Sequence, residues 1–101
     1  MNQRLLSLLG IARRAGRLSP GFDAAADSMK KGRSSLLLLA GDLSERTAEA
    51  IAYKAEQAGV ETITVDISME FMGNAVGKKK TGIISVNDNG FAEKIKTLCA
   101  E

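Results

Sequence analysis

The sequence predicts an α/β protein, built as a three-layer α-β-α sandwich in which helices cover both faces of a small sheet. Segments with helical apolar spacing alternate along the chain with short runs of apolar or β-branched residues, which is typical of this class. The 101 residues are 45% apolar and 26% charged and include one proline, which fits a single compact domain over residues 1–101.

The first helix is predicted between Asn2, which can cap it, and Gly16, which is a natural stop. Its apolar residues follow helical spacing from Leu5 to Ala15. The chain then contains a short extended piece at Leu18–Pro20 before it turns into the next helix.

A second helix and a buried strand follow. The turn at Pro20-Gly21 leads into a helix whose apolar face runs from Phe22 to Met29 and which Gly32 ends. The run Leu36–Ala40 is too short for a typical helix and lacks alternation, which is typical of a strand buried on both faces, as parallel strands are.

The third helix is capped by either Asp42 or Ser44, and Gly59 ends it. Asp42 stands three residues before Glu45, which also fits a capping box with Asp in place of Ser. The β-branched run within residues 60–65 predicts the next strand.

The last third of the chain predicts one more strand between two helices. A short helix over 68–76 and a strand over 82–86 are separated by the loop 77–80. Asp88 caps a final helix, in which the apolar residues from Phe91 to Leu98 keep helical spacing.

The charges are unevenly distributed, although the formal net charge is only +2. Residues 1–41 carry seven basic and two acidic side chains, a net of +5. Residues 42–76 carry two basic and seven acidic side chains, a net of −5, and residues 77–101 carry five and three, a net of +2. Such an asymmetry suits a protein that meets a polyanion with one face.

No catalytic or metal-binding constellation is found in the sequence. The chain has no histidine, and its one cysteine, Cys99, has no second ligand-type cluster beside it and is best interpreted as a half-buried apolar residue. Asp23 and Asp27 lie one helical turn apart, where carboxylates usually favour the helix dipole rather than form an acid/base pair. We therefore expect no enzymatic activity, no cofactor and no metal.

The segment from Gly73 to Lys78 is not a phosphate-binding loop of the Walker type. Only three residues separate its glycines, and Lys78 is followed by Lys79 instead of Ser or Thr. The longest apolar run, Leu36–Ala40, is also far short of the ~20 residues of a membrane helix. We expect a cytoplasmic protein without a membrane partner.

Two basic segments are candidates for binding nucleic-acid phosphates. Lys78, Lys79 and Lys80 lie in a predicted loop, and Arg13, Arg14 and Arg17 follow the end of the first helix. A solvated basic rim is the alternative interpretation of both segments. Because the chain has only four aromatic residues, structured RNA with exposed phosphates is a better candidate ligand than stacked single strands.

Several segments together share the pattern of one protein family. They are Leu9–Leu18, Gly21, Lys31–Arg33, Asp42 and Ser44 with Thr47, Met72–Lys78 and Asp88–Ala92. In order and spacing they resemble the bacterial YlxQ-type branch of the L7Ae/L30e superfamily of ribosomal proteins, and the resemblance covers nearly the whole chain. It implies a mixed four-stranded sheet in the α-β-α sandwich and recognition of kink-turn RNA.

In the RNA-binding members of that family, the start of the second helix carries Gly-x-Asn-Glu-x-x-Lys, which reads tandem sheared G·A pairs. Gly21 keeps the glycine of this motif, but Asp23, Ala24 and Asp27 stand where Asn, Glu and Lys are expected. Lys31 keeps the charge of a later arginine position. Each lost base contact costs on the order of 1–3 kcal/mol if the DNA figure applies.

Two further positions depart from the family pattern. Gly41 replaces a glutamate before Asp42, and Lys78–Lys80 replaces a loop that offers apolar contacts to a flipped base. The candidate RNA-binding residues, at the start of the second helix and in the basic segments, are Arg13, Arg14, Arg17, Gly21, Phe22, Asp23, Asp27, Lys31, Lys78, Lys79 and Lys80.

The leading hypothesis is a non-enzymatic protein that binds structured, kink-turn-like RNA or a ribosomal particle through the start of helix 2 and the basic loops. The alternative is a protein-interaction or assembly factor that has lost kink-turn specificity, with a ribosomal or translation-associated protein as its partner. Ala24 and Asp27 are the residues that favour this alternative.

Overall fold

The computed structural model describes residues 3–100, so the expected Asn2 cap lies outside the described part of the chain. Helices and strands alternate as the sequence predicts. In chain order the elements are α1 (Gln3–Arg14), β1 (Leu18–Pro20), α2 (Phe22–Lys30), β2 (Leu36–Ala40), α3 (Glu45–Ala58), β3 (Thr62–Val65), α4 (Met69–Ala75), β4 (Ile83–Val86) and α5 (Asn89–Ala100).

The four strands form one mixed sheet in the order β1-β4-β2-β3. β4 pairs antiparallel with both β1 and β2, whereas β2 and β3 are parallel. The α/β sandwich and its mixed four-stranded sheet are therefore confirmed. The piece Leu18–Pro20, which the sequence predicts only as extended, is a strand because its residues pair in register with Val86, Ser85 and Ile84.

Helices cover both faces of the sheet, and β2 supplies side chains to both apolar cores. Leu36, Leu38 and Ala40 face one core, which α1, α4 and α5 close. Leu37 and Leu39 point to the other side, where α2 and α3 pack. All five residues are buried, as the unbroken apolar run predicts, because successive side chains of a strand alternate between its faces.

Of the two residues predicted as alternative caps of α3, Ser44 is confirmed and Asp42 is wrong. Ser44, not Asp42, is the N-cap of α3, and its Oγ accepts a hydrogen bond from the Thr47 amide at 3.3 Å. The Asp42 carboxylate instead accepts from the amide of Met69 at 2.8 Å, so it ties the end of β2 to the start of α4. The Asp42–Glu45 capping box does not form because the turn after β2 continues to Ser44.

A partly buried polar cluster holds α2 against the sheet. The side-chain amide of Asn87 donates to Ser19 Oγ of β1 at 2.8 Å, and that hydroxyl contacts Ser28 Oγ of α2 at 2.7 Å. Ser85 of β4, fully buried, donates to Asn87 Oδ1 at 2.6 Å. Because each polar group has a partner, burial of the cluster carries no desolvation penalty from an unpaired group.

Candidate nucleic-acid interface

The start of α2 and the end of the loop Lys78–Lys80, which we call the lysine loop, meet the sheet on the same side. This side is formed by the ends of the strands, and we call it an edge of the sheet. The carboxyl ends of β1 and β2 flank the amino end of β4, because both are antiparallel to it. The Gly21 amide donates to the Ile83 carbonyl at 2.8 Å, and the Ala40 amide donates to the Gly82 carbonyl at 2.9 Å. The backbones of these neighbouring strands are therefore about 5 Å apart.

Gly21 is the N-cap of α2 and has a backbone conformation that favours glycine. Its φ of 102° and ψ of 158° lie in a region that other residues rarely adopt. A Cβ atom built there would meet no atom within 4 Å, so the surface above Gly21 is open. A ligand can approach the backbone closely at this point.

The first turn of α2 presents one apolar and one acidic side chain. Phe22 is half-buried and packs against the core beneath α2 and α3. Asp23 and Ala24 are exposed. Asp23 therefore brings an acceptor-only carboxylate to the surface at the position where the family motif has an amide.

Asp27 and Lys31 form an ion pair on the exposed side of α2. The distance between Lys31 Nζ and Asp27 Oδ2 is 3.0 Å, one helical turn apart, and both side chains are more than half exposed. Such surface pairs contribute little stability. The pair nevertheless neutralises the positive charge that the sequence assigns to Lys31 as a phosphate contact.

The lysine loop packs along α4 and returns to the sheet edge. The Lys78 amide donates to the Gly73 carbonyl at 2.7 Å, and the Thr81 amide donates to the Met69 carbonyl at 3.0 Å. A Cβ on Gly73 would lie 2.9 Å from the carbonyl oxygens of Lys78 and Lys79, so the loop backbone needs a glycine here. All three lysine side chains are exposed.

The arginines occupy different places around this loop. Arg13, at the end of α1, donates from Nε to the Val76 carbonyl at 3.2 Å and thus touches the end of α4. The Arg17 carbonyl accepts from the Asn87 amide at 2.8 Å, which places Arg17 at the edge of the sheet opposite Gly21. Within residues 3–100, the structure records no ion pair for Arg13, Arg14, Arg17 or the lysine loop.

The candidate residues are thus only partly collected at one edge. Gly21, at the start of α2, is hydrogen-bonded to Ile83, three residues after the end of the lysine loop. Lys31, at the far end of α2, and Arg17, before β1, lie toward the opposite edge. Sequence reasoning missed the role of Gly73, whose signal is a glycine inside a predicted short helix.

The described residues offer no metal site and no reactive thiol. Among residues 3–100, no group of three or more Cys, Asp or Glu side chains is placed to hold a metal ion. Burial raises the pKa of the Cys99 thiol, which disfavours the nucleophilic thiolate form. In the same part of the chain, no helix has the length and apolar character to cross a membrane.

Comparisons with known proteins agree with this architecture. The model of the ribosomal protein L7Ae/L30e/S12e/Gadd45 family matches residues 3–96. The RNA-binding protein YlxQ of Bacillus subtilis is 33% identical over 91 residues, which cover 90% of each chain.

Two known structures are similar to the whole fold. A protein of unknown function from Bacillus halodurans superimposes with a TM-score of 0.90 at 29% identity, covering 99% of this chain and 100% of that one. The Giardia lamblia 15.5kD RNA binding protein superimposes with a TM-score of 0.74 at 17% identity, covering 99% and 88%, and shows the shared fold.

The chain therefore belongs to the ribosomal protein L7Ae/L30e/S12e/Gadd45 family, as the sequence pattern indicates. Within that family it is a non-enzymatic member of the YlxQ type.

The open backbone at Gly21 generates the first prediction. Gly21→Ala will lower the free energy of unfolding by about 1–3 kcal/mol, because alanine is strained at a φ of 102°. Denaturant unfolding monitored by circular dichroism measures this change. The matched control is Gly10→Ala, since Gly10 is helical and its added Cβ would make an ordinary 3.4 Å contact with the Ala75 carbonyl. Equal effects of the two substitutions would contradict the argument.

Proposed function

We propose that this protein binds structured, kink-turn-like RNA or a ribosomal particle in the cytoplasm, through the start of α2 and the lysine loop. The observation that carries the proposal is the juxtaposition of these two segments at one edge of the sheet. Membership of the L7Ae family and the resemblance to proteins named as RNA-binding support it.

The two segments suit two kinds of RNA contact. Three exposed lysines without an ion pair in residues 3–100 are available to neutralise phosphates and release counterions. Gly21 allows the bases of a sharply bent RNA to approach the backbone. Asp23 accepts hydrogen bonds but cannot donate them, so base reading depends on amino or imino groups of the RNA.

Titration of a labelled kink-turn RNA and its unkinked mutant at two salt concentrations tests the proposal. We expect the kinked RNA to bind more tightly than the mutant, and the affinity for both to fall steeply with salt. If neither RNA binds this protein better than it binds a neutral control protein near physiological salt, the proposal fails. Equal affinity for both RNAs would show that the basic residues are a general RNA contact and would contradict the kink-specific part.

A variant in which the family motif is restored provides a comparison for that titration. Asp23→Asn, Ala24→Glu and Asp27→Lys together rebuild the motif of the RNA-binding relatives at three exposed positions. The variant replaces the exposed Asp27–Lys31 ion pair with two lysines one turn apart, which costs only about 0.2–0.5 kcal/mol on a helix surface, so we expect it to fold normally. Its preference for the kinked RNA should exceed that of the unmodified chain, because each regained base contact contributes about 1–3 kcal/mol of discrimination.

A second prediction concerns the lysine loop alone. Replacing Lys78, Lys79 and Lys80 with alanine will reduce the magnitude of the slope of log affinity against log salt by about two to three. Thermal stability should hardly change, because the three side chains are exposed. A control variant with Arg46, Lys54 and Lys94 changed to alanine loses the same charge from helices α3 and α5. Equal slopes for both variants would count against the loop as the phosphate contact.

The exposed acidic start of α2 favours a second candidate function, that of a protein-interaction or assembly factor without kink-turn specificity. Asp23 repels phosphates on the surface where the family motif binds RNA, and the Asp27–Lys31 ion pair adds no net positive charge there. If this candidate is correct, a ribosomal or translation-associated partner will stay bound in a pull-down after nuclease treatment. Complete loss of all partners on nuclease treatment would instead favour RNA as the direct ligand.

A further inference from the structure

The lysine loop begins where α4 ends, and this helix end leaves backbone carbonyls to be satisfied. The last four carbonyls of a helix have no partner within it. At the end of α4, the Gly73 carbonyl accepts from the amides of Val76 at 3.1 Å and Lys78 at 2.7 Å, and the chain reverses at Gly77. The Val76 carbonyl accepts from a distant side chain, Arg13 Nε, at 3.2 Å.

Arg13 is therefore attached to the base of the loop, whereas its neighbour Arg14 is not. Both residues are exposed and both belong to the last turn of α1. Within residues 3–100, no hydrogen bond of the Arg14 guanidinium is recorded. With Nε occupied, the two terminal amino groups of Arg13 still provide four donors next to the loop.

Gly73 is the second attachment of the loop. Because Gly73 has no side chain, the carbonyls of Lys78 and Lys79 can pack against its backbone. A Cβ built on Gly73 would lie only 2.9 Å from both carbonyl oxygens. The backbone of the loop is thus held from α1 by a side chain and from α4 by a close contact. A segment held in this way pays less ordering entropy when it binds a ligand than a free loop does.

We propose that Arg13 is a positioning residue, which fixes the lysine loop through the Val76 carbonyl so that its ammonium groups are preorganised for phosphate. The effect on the loop is independent of RNA, and only its effect on affinity rests on the function proposed above. Arg13 thus differs from Arg14, which contributes charge alone.

The first experiment compares Arg13→Met with Arg14→Met by hydrogen exchange of backbone amides in the absence of RNA. Each substitution removes one charge and keeps a long apolar stem. We expect the Lys78 amide to exchange about ten-fold faster in Arg13→Met and at the unmodified rate in Arg14→Met, because a hydrogen bond of a charged donor is lost only in the first. The amide of Leu38, in the core of the sheet, reports whether the whole fold has loosened.

A second experiment moves the loop without changing any charge. Gly73→Ala should weaken binding of the kink-turn RNA about three- to ten-fold, since its Cβ collides with the loop backbone. Asn74→Ala, an exposed change on the same helix, should leave binding unaltered. In the same assay Arg13→Met should lose more affinity than Arg14→Met.

The outcomes separate this inference from the proposed function. Equal exchange of the Lys78 amide in the two arginine variants overturns the positioning role. Faster exchange in Arg13→Met, with no RNA binding by the unmodified protein, supports the positioning role while the RNA function fails. Faster exchange with equal loss of RNA affinity in both variants overturns the claim that positioning serves binding.

Discussion

The antiparallel pairing of β4 between β1 and β2 is the constraint on which the candidate interface depends. It forces the turn at Gly21 and the end of the lysine loop onto one edge, although about sixty residues separate them. The pairing is held by two apolar cores, since the four leucines of β2 are buried and each contributes about 1.5–3 kcal/mol by its burial.

Much of this fold follows from local patterns, and the exceptions have physical reasons. The unbroken run Leu36–Ala40 predicts a strand buried on both faces because burial depends on side-chain alternation within the strand itself. The strand state of Leu18–Pro20 instead depends on pairing with Val86 and its neighbours, which are distant in sequence. Asp42 likewise caps no local helix but binds Met69, a partner that spacing along the chain does not indicate.

The candidate site was less predictable than the fold, because charge in a sequence does not specify its surroundings. Lys31 counts as a basic residue in the sequence, yet its ion pair with Asp27 neutralises it on the surface. Arg13 and Arg14 are equivalent by composition and differ only in the bond to Val76. The family pattern predicts the start of α2 as an RNA contact, and this stays a prediction. The close approach of the loop to Gly73 required three-dimensional contacts.

Under the proposed function, these features predict RNA recognition that depends more on phosphates than on bases. At the start of α2, Asp23 and Ala24 replace side chains that contribute about 1–3 kcal/mol per base contact. At the adjacent edge, the lysine loop carries three exposed cations. Phosphate contacts carry no sequence information, and their contribution decreases with salt. Under the same proposal, we expect a firmly held loop to recover part of that selectivity, because cations fixed in position match the phosphate spacing of one RNA shape better than that of another.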